Sequence, residues 1–307
     1  MEYHAIDSND VGVVYHKSNG MYRVCARTQT LICTLAASLA GEGAPAVGDW
    51  VRFATGDPAG GRILDVLPRR SCLARRAAGR GMAGQVLVAN LDQVVPVFAA
   101  AAPPPHWNLL DRYLVSAEAS ELPAVVCITK LDLAGPDDLW QESLAEYRRI
   151  GYRVILTSAV SGQGLDELKE ALQGRLSALI GKSGVGKTRL LNALQPGLGQ
   201  RVGALSRANG KGRHTTTAAE LFPLADGGAL VDTPGMREFG LWDVDAGDLA
   251  LYFPEMRPLA GRCRFGLSCR HDEEPGCAIR KAVMDGQISP RRYRSYLRLA
   301  EENGGRP

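Results

Sequence analysis

Gly181-Lys182-Ser183-Gly184-Val185-Gly186-Lys187-Thr188 follows the pattern G-x-x-x-x-G-K-[ST]. Glycines let such a loop curl until its N–H groups point at phosphate oxygens, and the helix that follows adds positive potential at its start. In this chemistry Lys187 reaches the β- and γ-phosphates and the Thr188 hydroxyl binds Mg²⁺. The flanks fit, because ALI reads as the end of a strand and RLLNALQ as a helix. The segment is therefore expected to hold a nucleoside triphosphate.

Three further segments say which one. Asp232-Thr233-Pro234-Gly235 ends the strand-like ALVD; Asp232 suits Mg²⁺ through water, and the Gly235 N–H suits the γ-phosphate. Thr129-Lys130-Leu131-Asp132 ends the strand-like AVVCIT. A carboxylate there accepts hydrogen bonds from guanine N1–H and the 2-amino group, a donor pair adenine lacks, so Asp132 selects GTP. The stem of Lys130 can lie along the base. Thr157-Ser158-Ala159, followed by Gly162 and Gly164, offers the N–H groups of Ser158 and Ala159 to the guanine carbonyl. Each of these tetrapeptides or tripeptides alone reads as a turn; together with the phosphate loop they read as a guanine-nucleotide site. Their order is circularly permuted, with the base-reading segments before the phosphate loop. A parallel sheet depends on neighbours in space, and domain termini often lie close together, so a permuted chain can build the same site.

A second cluster sits near the end. Cys263, Cys269, His271 and Cys277 give C-x5-C-x-H-x5-C. Three thiolates and an imidazole fill a tetrahedral Zn²⁺ site and leave no open position, which makes it structural, with one zinc per chain. Cys25, Cys33, Cys72 and Cys127 are scattered and read as ordinary thiols.

The elements that must position these groups change period along the chain. Residues 12–16, 22–27, 31–36, 49–54 and 61–67 read as five short strands separated by Gly, Asn, Asp or Pro, which fits an OB-fold barrel. Residues 71–84 are rich in Arg, Gly and Ala and read as a mobile basic linker. Beyond it, strands at 85–90, 94–99, 124–129, 153–157, 178–181 and 229–232 alternate with helices at 110–120, 137–150, 165–174 and 187–195. That alternation means a mainly parallel sheet covered on both faces, with ligands at the carboxyl ends of its strands. From about 245 the apolar strands stop, and a helix-like stretch begins at Ala278. The expected organisation is multidomain: an all-β OB barrel at 1–72, an α/β P-loop GTPase at 73–244, and a small helical zinc module at 245–307.

Composition sets the outer limits. The chain has 307 residues, 45% hydrophobic and 22% charged, as in a globular protein of two or three domains. The apolar stretch at 94–104 is broken by prolines and too short to cross a membrane, and MEYHAIDSND lacks a secretory signal core, so a cytoplasmic monomer with no membrane partner is expected. Net charge is only +3, but Arg69, Arg70, Arg75, Arg76 and Arg80 cluster, as do Arg291, Arg292, Arg294 and Arg298. Such runs suit phosphate backbones, and singly they read as solvated faces.

The chain resembles the ribosome small-subunit-dependent GTPase A family (RsgA, also called YjeQ or YloQ). The resemblance rests on VGDWV (47–51), LPRRSCLAR (67–75), VANLDQV (88–94), GKSGVGKT (181–188), GRHTTT (212–217), DTPGMREFGL (232–241) and EPGCAI (274–279). It implies the three units above, GTP/GDP binding, small-subunit and rRNA partners, and hydrolysis stimulated during late subunit maturation. Two positions depart from the family. Thr129 stands where Asn is common and makes only part of its contact with the phosphate loop; Met236 stands where Phe is usual, and neither positions water. The GRHTTT stretch supplies candidates instead. Thr215 or Thr216 completes the Mg²⁺ shell, and His214 either orients the attacking water or serves RNA or packing. Two other functions fit parts of the sequence: an RNA clamp or chaperone whose affinity bound nucleotide sets, and a GTPase serving a membrane or metabolic partner.

Overall fold

Five short β-rich strands over residues 11–66 close into a barrel, with burial alternating along three of them. In the computed structural model, which describes residues 10–26, 29–39, 44–56, 60–75, 85–135, 140–199, 202, 220–232 and 244–303, the strands are β1 Val11–Ser18, β2 Met21–Ala26, β3 Gln29–Leu35, β4 Trp50–Thr55 and β5 Gly61–Val66. They pair in the order β1-β2-β3-β5-β4, and β4 returns to β1. Only β3 and β5 run parallel within this set. Val13, Val24, Val51, Phe53 and Ile63 point inward and are buried. Register shifts between Val14 and His16 and between Arg52 and Phe53 supply the bends that closure needs.

The second unit is an α/β sheet. Its elements are β6 Cys72–Arg75, β7 Gln85–Ala89, β8 Gln93–Ala99, α1 Trp107–Ala119, β9 Val125–Thr129, α2 Trp140–Ile150, β10 Arg153–Leu156, α3 Leu165–Leu172, β11 Leu176–Ile180, α4 Lys187–Leu194, β12 Glu220–Pro223 and β13 Ala229–Asp232. The spatial order is β10-β9-β8-β11-β13-β12, parallel throughout except for β12, which runs antiparallel to β13. Every residue of β8 and β9 is buried. Val94, Phe98, Val126 and Ile128 meet α1 and α2 on one face; Val95, Val97, Val125 and Cys127 meet α3 and α4 on the other. Two sequence expectations need correction. Residues 72–75 form a strand inside the expected linker, and 85–89 pairs with it in a separate two-stranded ribbon rather than joining the main sheet.

The barrel's exit is fixed by charge, and close approach latches it to this unit. Arg69 donates from Nε and Nη2 to the two oxygens of the fully buried Asp49, both at 2.7 Å. The Asn90 side chain donates to Gly48 O at 2.9 Å and accepts from Arg70 N at 2.9 Å. Gly48 has φ +89°, and a Cβ there would come within 2.1 Å of Ala89 O, so the backbone contact admits only glycine. β1 also meets β12 at the His16–Glu220 pairing.

The last unit, from 244, holds one-turn 3₁₀ segments and two helices, α5 Ala278–Met284 and α6 Pro290–Glu302. Its core of Leu249, Phe253, Met256, Ile279, Tyr296 and Leu299 takes in Val115 from α1. Beside it lies a buried ionic network. Arg292 Nη1 donates to Asp111 Oδ1 at 2.6 Å, and Arg292 Nε and Nη2 grip Glu255 at 2.7 and 3.0 Å. Arg291 joins Asp111 at 3.2 Å and Glu146 at 2.7 Å, and the Tyr147 hydroxyl donates to Asp111 Oδ1 at 2.5 Å. Burial alone would lower the Arg292 pKa, but Asp111 and Glu255 outweigh it and hold the guanidinium charged. Arg291 and Arg292 are thus structural ions, neither a solvated face nor a phosphate patch. The same is true of Arg69, and Arg70 pairs with Asp92. Removing one partner of a buried pair strands the other's charge, so Arg292→Ala should cost about 3–5 kcal/mol. Urea unfolding measures this; a loss below about 1 kcal/mol, the range of surface pairs, would reject the network as a structural tie.

Candidate nucleotide site and metal centre

The carboxyl ends of β9, β10, β11 and β13 lie on one edge of the sheet because the strands run parallel. Each ends in one of the expected segments. The phosphate loop leaves β11 at Gly181, where a Cβ would sit 2.4 Å from Val97 O, and enters α4 through Gly186 at φ +94°. Lys187 Nζ donates to the carbonyls of Gly181 and, at 3.0 Å, Lys182, which holds its charge over the loop. Lys182, Ser183, Gly184 and Thr188 are exposed, whereas Val185 is buried and anchors the loop to the α3/α4 face.

The base-reading segment is tied to this loop from β9. Lys130, in the left-handed region at φ +57°, donates from Nζ to Gly184 O at 2.7 Å and to Ala102 O. The buried Thr129 hydroxyl lies against Val185 O and 3.2 Å from Phe98 O. The contact expected to be partial is therefore made, but with one proton for two carbonyls. Asp132 Oδ1 accepts from the Ser158 hydroxyl at 2.5 Å, and Ser158 Oγ also accepts from the N–H groups of Val160 and Ser161 at 3.2 Å each. Leu131 N donates to Thr157 O at 3.2 Å. Thr129, Lys130, Leu131, Asp132, Ser158 and the phosphate loop are thus brought together, with Ala159 next in the Ser158 turn. Asp232 ends β13, the neighbour of β11, in register with Glu220. Gly235, Met236, His214, Thr215 and Thr216 lie outside the described residues.

Sequence reasoning did not find Ala102, whose carbonyl joins the lead into α1 to Lys130. A backbone oxygen has no side-chain signature.

The second cluster is compact. The ligand atoms of Cys263, Cys269, His271 and Cys277 all lie within 4.8 Å of one another, and all four residues are buried. His271 presents Nδ1, 3.4 Å from Cys263 Sγ and 3.5 Å from Cys277 Sγ, and those two sulfurs are 3.9 Å apart. Sulfurs at about 2.3 Å from one tetrahedral centre are spaced this way, so the donor set fits a metal ion. Backbone N–H groups of Ala278 and Arg280 donate to Cys263 and Cys277 sulfurs at 3.3 and 3.4 Å, which favours thiolates. The Tyr293 hydroxyl donates to His271 O at 2.6 Å and that of Tyr296 to Arg270 O at 3.1 Å, so α6 holds the ligand loop.

Comparison with known proteins places the chain in a family. The RsgA GTPase family matches residues 66–242. The protein named small ribosomal subunit biogenesis GTPase RsgA from Gemmatimonas aurantiaca is 51% identical over 244 residues, 80% of this chain and 79% of that one. Its namesake from Moorella thermoacetica is 47% identical over 83% of both chains. The crystal structure of YjeQ from Thermotoga maritima superposes with a TM-score of 0.80 at 34% identity, covering 97% of this chain and 99% of that one. YloQ, described as a circularly permuted GTPase, gives 0.75 at 28% identity over 100% and 99%.

Burial pushes the Cys269 thiol up to about 12 and raises Cys277, while it lowers His271. Without a cation Cys269 and Cys277 therefore keep their protons, and metal binding must displace them. Bound metal should accordingly be retained at and above neutral pH and released as pH falls. A chromogenic chelator assay across pH measures the release. Cys269→Ser should lower metal content and expose the remaining cluster thiols to a thiol reagent; a metal-free protein with those thiols still shielded would reject the centre.

Proposed function

The chain belongs to the RsgA GTPase family, and from that premise we propose how its own residues carry out the reaction. It is a GTP hydrolase of small-ribosomal-subunit biogenesis with permuted guanine-nucleotide motifs. One observation carries the residue assignment: Thr129–Asp132 and Ser158 share hydrogen bonds with each other or with the loop Gly181–Thr188, at the carboxyl edge of adjacent parallel strands.

Asp132 reads guanine through N1–H and the 2-amino group, while Ser158 fixes its carboxylate; Leu131 and the N–H groups of Ser158 and Ala159 complete the base pocket. The N–H groups of residues 181–188 cradle the phosphates, and Lys187 moves from the loop carbonyls to the β- and γ-oxygens. A hydroxyl and a carboxylate are the oxygen donors a hard cation takes. Thr188 and Asp232, with Thr215 or Thr216, would hold Mg²⁺, which supplies charge neutralisation at the phosphates when bound. Gly235 N–H contacts the γ-phosphate, and His214 orients the water. The metal of the Cys263–Cys269–His271–Cys277 centre is zinc, one per chain and structural. The units are a barrel at 1–72, a GTPase at 73–244 and a zinc module at 245–307. The partners are GTP/GDP and the small subunit with its rRNA. The protein works as a cytoplasmic monomer away from membranes; no helix among the described residues is long and apolar enough to span one.

Asp132→Asn keeps an oxygen for Ser158 but turns the other acceptor into a donor facing guanine donors. The cost should be on the order of 2–4 kcal/mol, roughly 30- to 1,000-fold in GTP affinity. Calorimetry with GTP and ATP checks it; unchanged discrimination would remove Asp132 from the base pocket.

Basal turnover should be slow, on the order of 10⁻⁴–10⁻² s⁻¹, because Met236 cannot orient water. Small subunits should raise it. His214→Ala should bind GTP normally yet lose roughly 10²-fold or more of the stimulated rate. A stimulated rate equal to wild type would mean that another group positions the water.

A further inference from the structure

We propose that the cleft between the start of α1 and the outer face of α6 seats single-stranded RNA, its phosphates on Arg294 and Arg298 and a base against Trp107. The proposal rests on the ribosomal reading above and deepens it by naming a surface and the chemistry it binds.

The cleft has a volume of about 340 Å³ and is lined by His106, Trp107, Asn108, Arg291, Arg294 and Arg298 along with Pro105. No carboxylate is among those residues. Arg294 and Arg298 stand four positions apart on α6, so their heads share one face about 6 Å apart along the axis. Both are exposed, and among the described residues neither is paired with an acidic side chain. Their neighbours differ: Arg292 is buried on Asp111 and Glu255, and Arg291 is held by Glu146 and Asp111. One helix thus devotes its inward arginines to the fold and turns two others outward.

The opposite wall complements them. α1 begins at Trp107 with no side-chain cap from His106 and no acidic residue in its first turn; Leu109 and Leu110 N–H turn to His106 O, and the positive end of the helix dipole faces the cleft uncompensated. Half-buried Trp107 is braced by the Arg291 guanidinium 5.8 Å from its ring. A fixed aromatic ring beside two free cations is the pairing that stacks a base while gripping its phosphates. An acidic peptide would use the cations but has no need of the ring.

The site also lies on the line from α6 to the nucleotide loops. The loop that leads into α1 carries Ala102 O, which holds Lys130, and Lys130 holds Gly184 O. RNA seated here would bear on the segment that ties the base-reading and phosphate loops.

The test compares full-length wild type, Arg294→Glu/Arg298→Glu and Arg294→Lys/Arg298→Lys. Binding to purified small ribosomal subunits is measured by co-sedimentation, and to a fluorescent twelve-nucleotide oligouridine by anisotropy over a salt series. The Glu pair should weaken both at least about tenfold and flatten the oligouridine salt slope by roughly 1.4, two phosphates at about 0.7 each. The Lys pair should stay within about threefold of wild type. GTP binding and basal hydrolysis should be unchanged in both, because neither residue belongs to the nucleotide site. Wild-type oligouridine affinity and slope in the Glu pair would overturn the proposal. So would loss of subunit binding with oligouridine binding intact, which would place a protein in the cleft. If wild type itself ignores subunits, the ribosomal reading fails, while the oligouridine series still decides the cleft.

Discussion

Asp111 is a carboxylate with no exposure to solvent, and its charge is balanced from another part of the chain. Its oxygens take Arg291, Arg292 and the Tyr147 hydroxyl. A lone ion in that position would be intolerable, so α1 and α2 acquire their settled packing only with α6 in place. Phe253 and Tyr147 rings lie 4.6 and 5.5 Å from the Arg292 guanidinium and share in its desolvated surroundings. The C-terminal module is therefore part of the same folded body as the sheet that carries the nucleotide loops. Position of α1 in turn sets its lead-in loop, and so the carbonyl that receives Lys130.

Around that tie the permuted order costs nothing structurally. β11 lies between β8 and β13 whatever the sequence in which the strands are made, and its phosphate loop opens where strand order reverses. Permutation moves the chain ends instead. The barrel enters beside β7 through the contacts of Asn90 with Gly48 and Arg70, and the last module follows β13 in the chain. Both attached units thus meet the sheet through buried polar contacts.

Much of this was legible in the residues. The five barrel strands show as short β-rich runs between turn residues, and the all-buried β8 and β9 appear as continuous apolar runs. The loop 181–188 and the Cys/His spacing name their own chemistry. What escaped depends on long-range partners. Cys72–Arg75 lies in an Arg- and Ala-rich stretch of poor strand propensity and becomes a strand only by pairing with β7. β12 is four residues ending in Pro223, too short for periodicity to register. Arg291 and Arg292 look the same in sequence as Arg294 and Arg298, because a row of arginines does not say which of them meet a buried carboxylate.

The Cys₃His centre reaches further than its own loop. Tyr293 and Tyr296 fasten α6 to the carbonyls of His271 and Arg270, and the same helix delivers Arg291 and Arg292 to Asp111. Free energy of cation binding there is folding free energy for the helix that seals α1. Abundance of the intact protein is then coupled to metal supply. In a starved cell the loss would come as clearance of unsealed chains by proteases, before any change in catalytic rate per molecule.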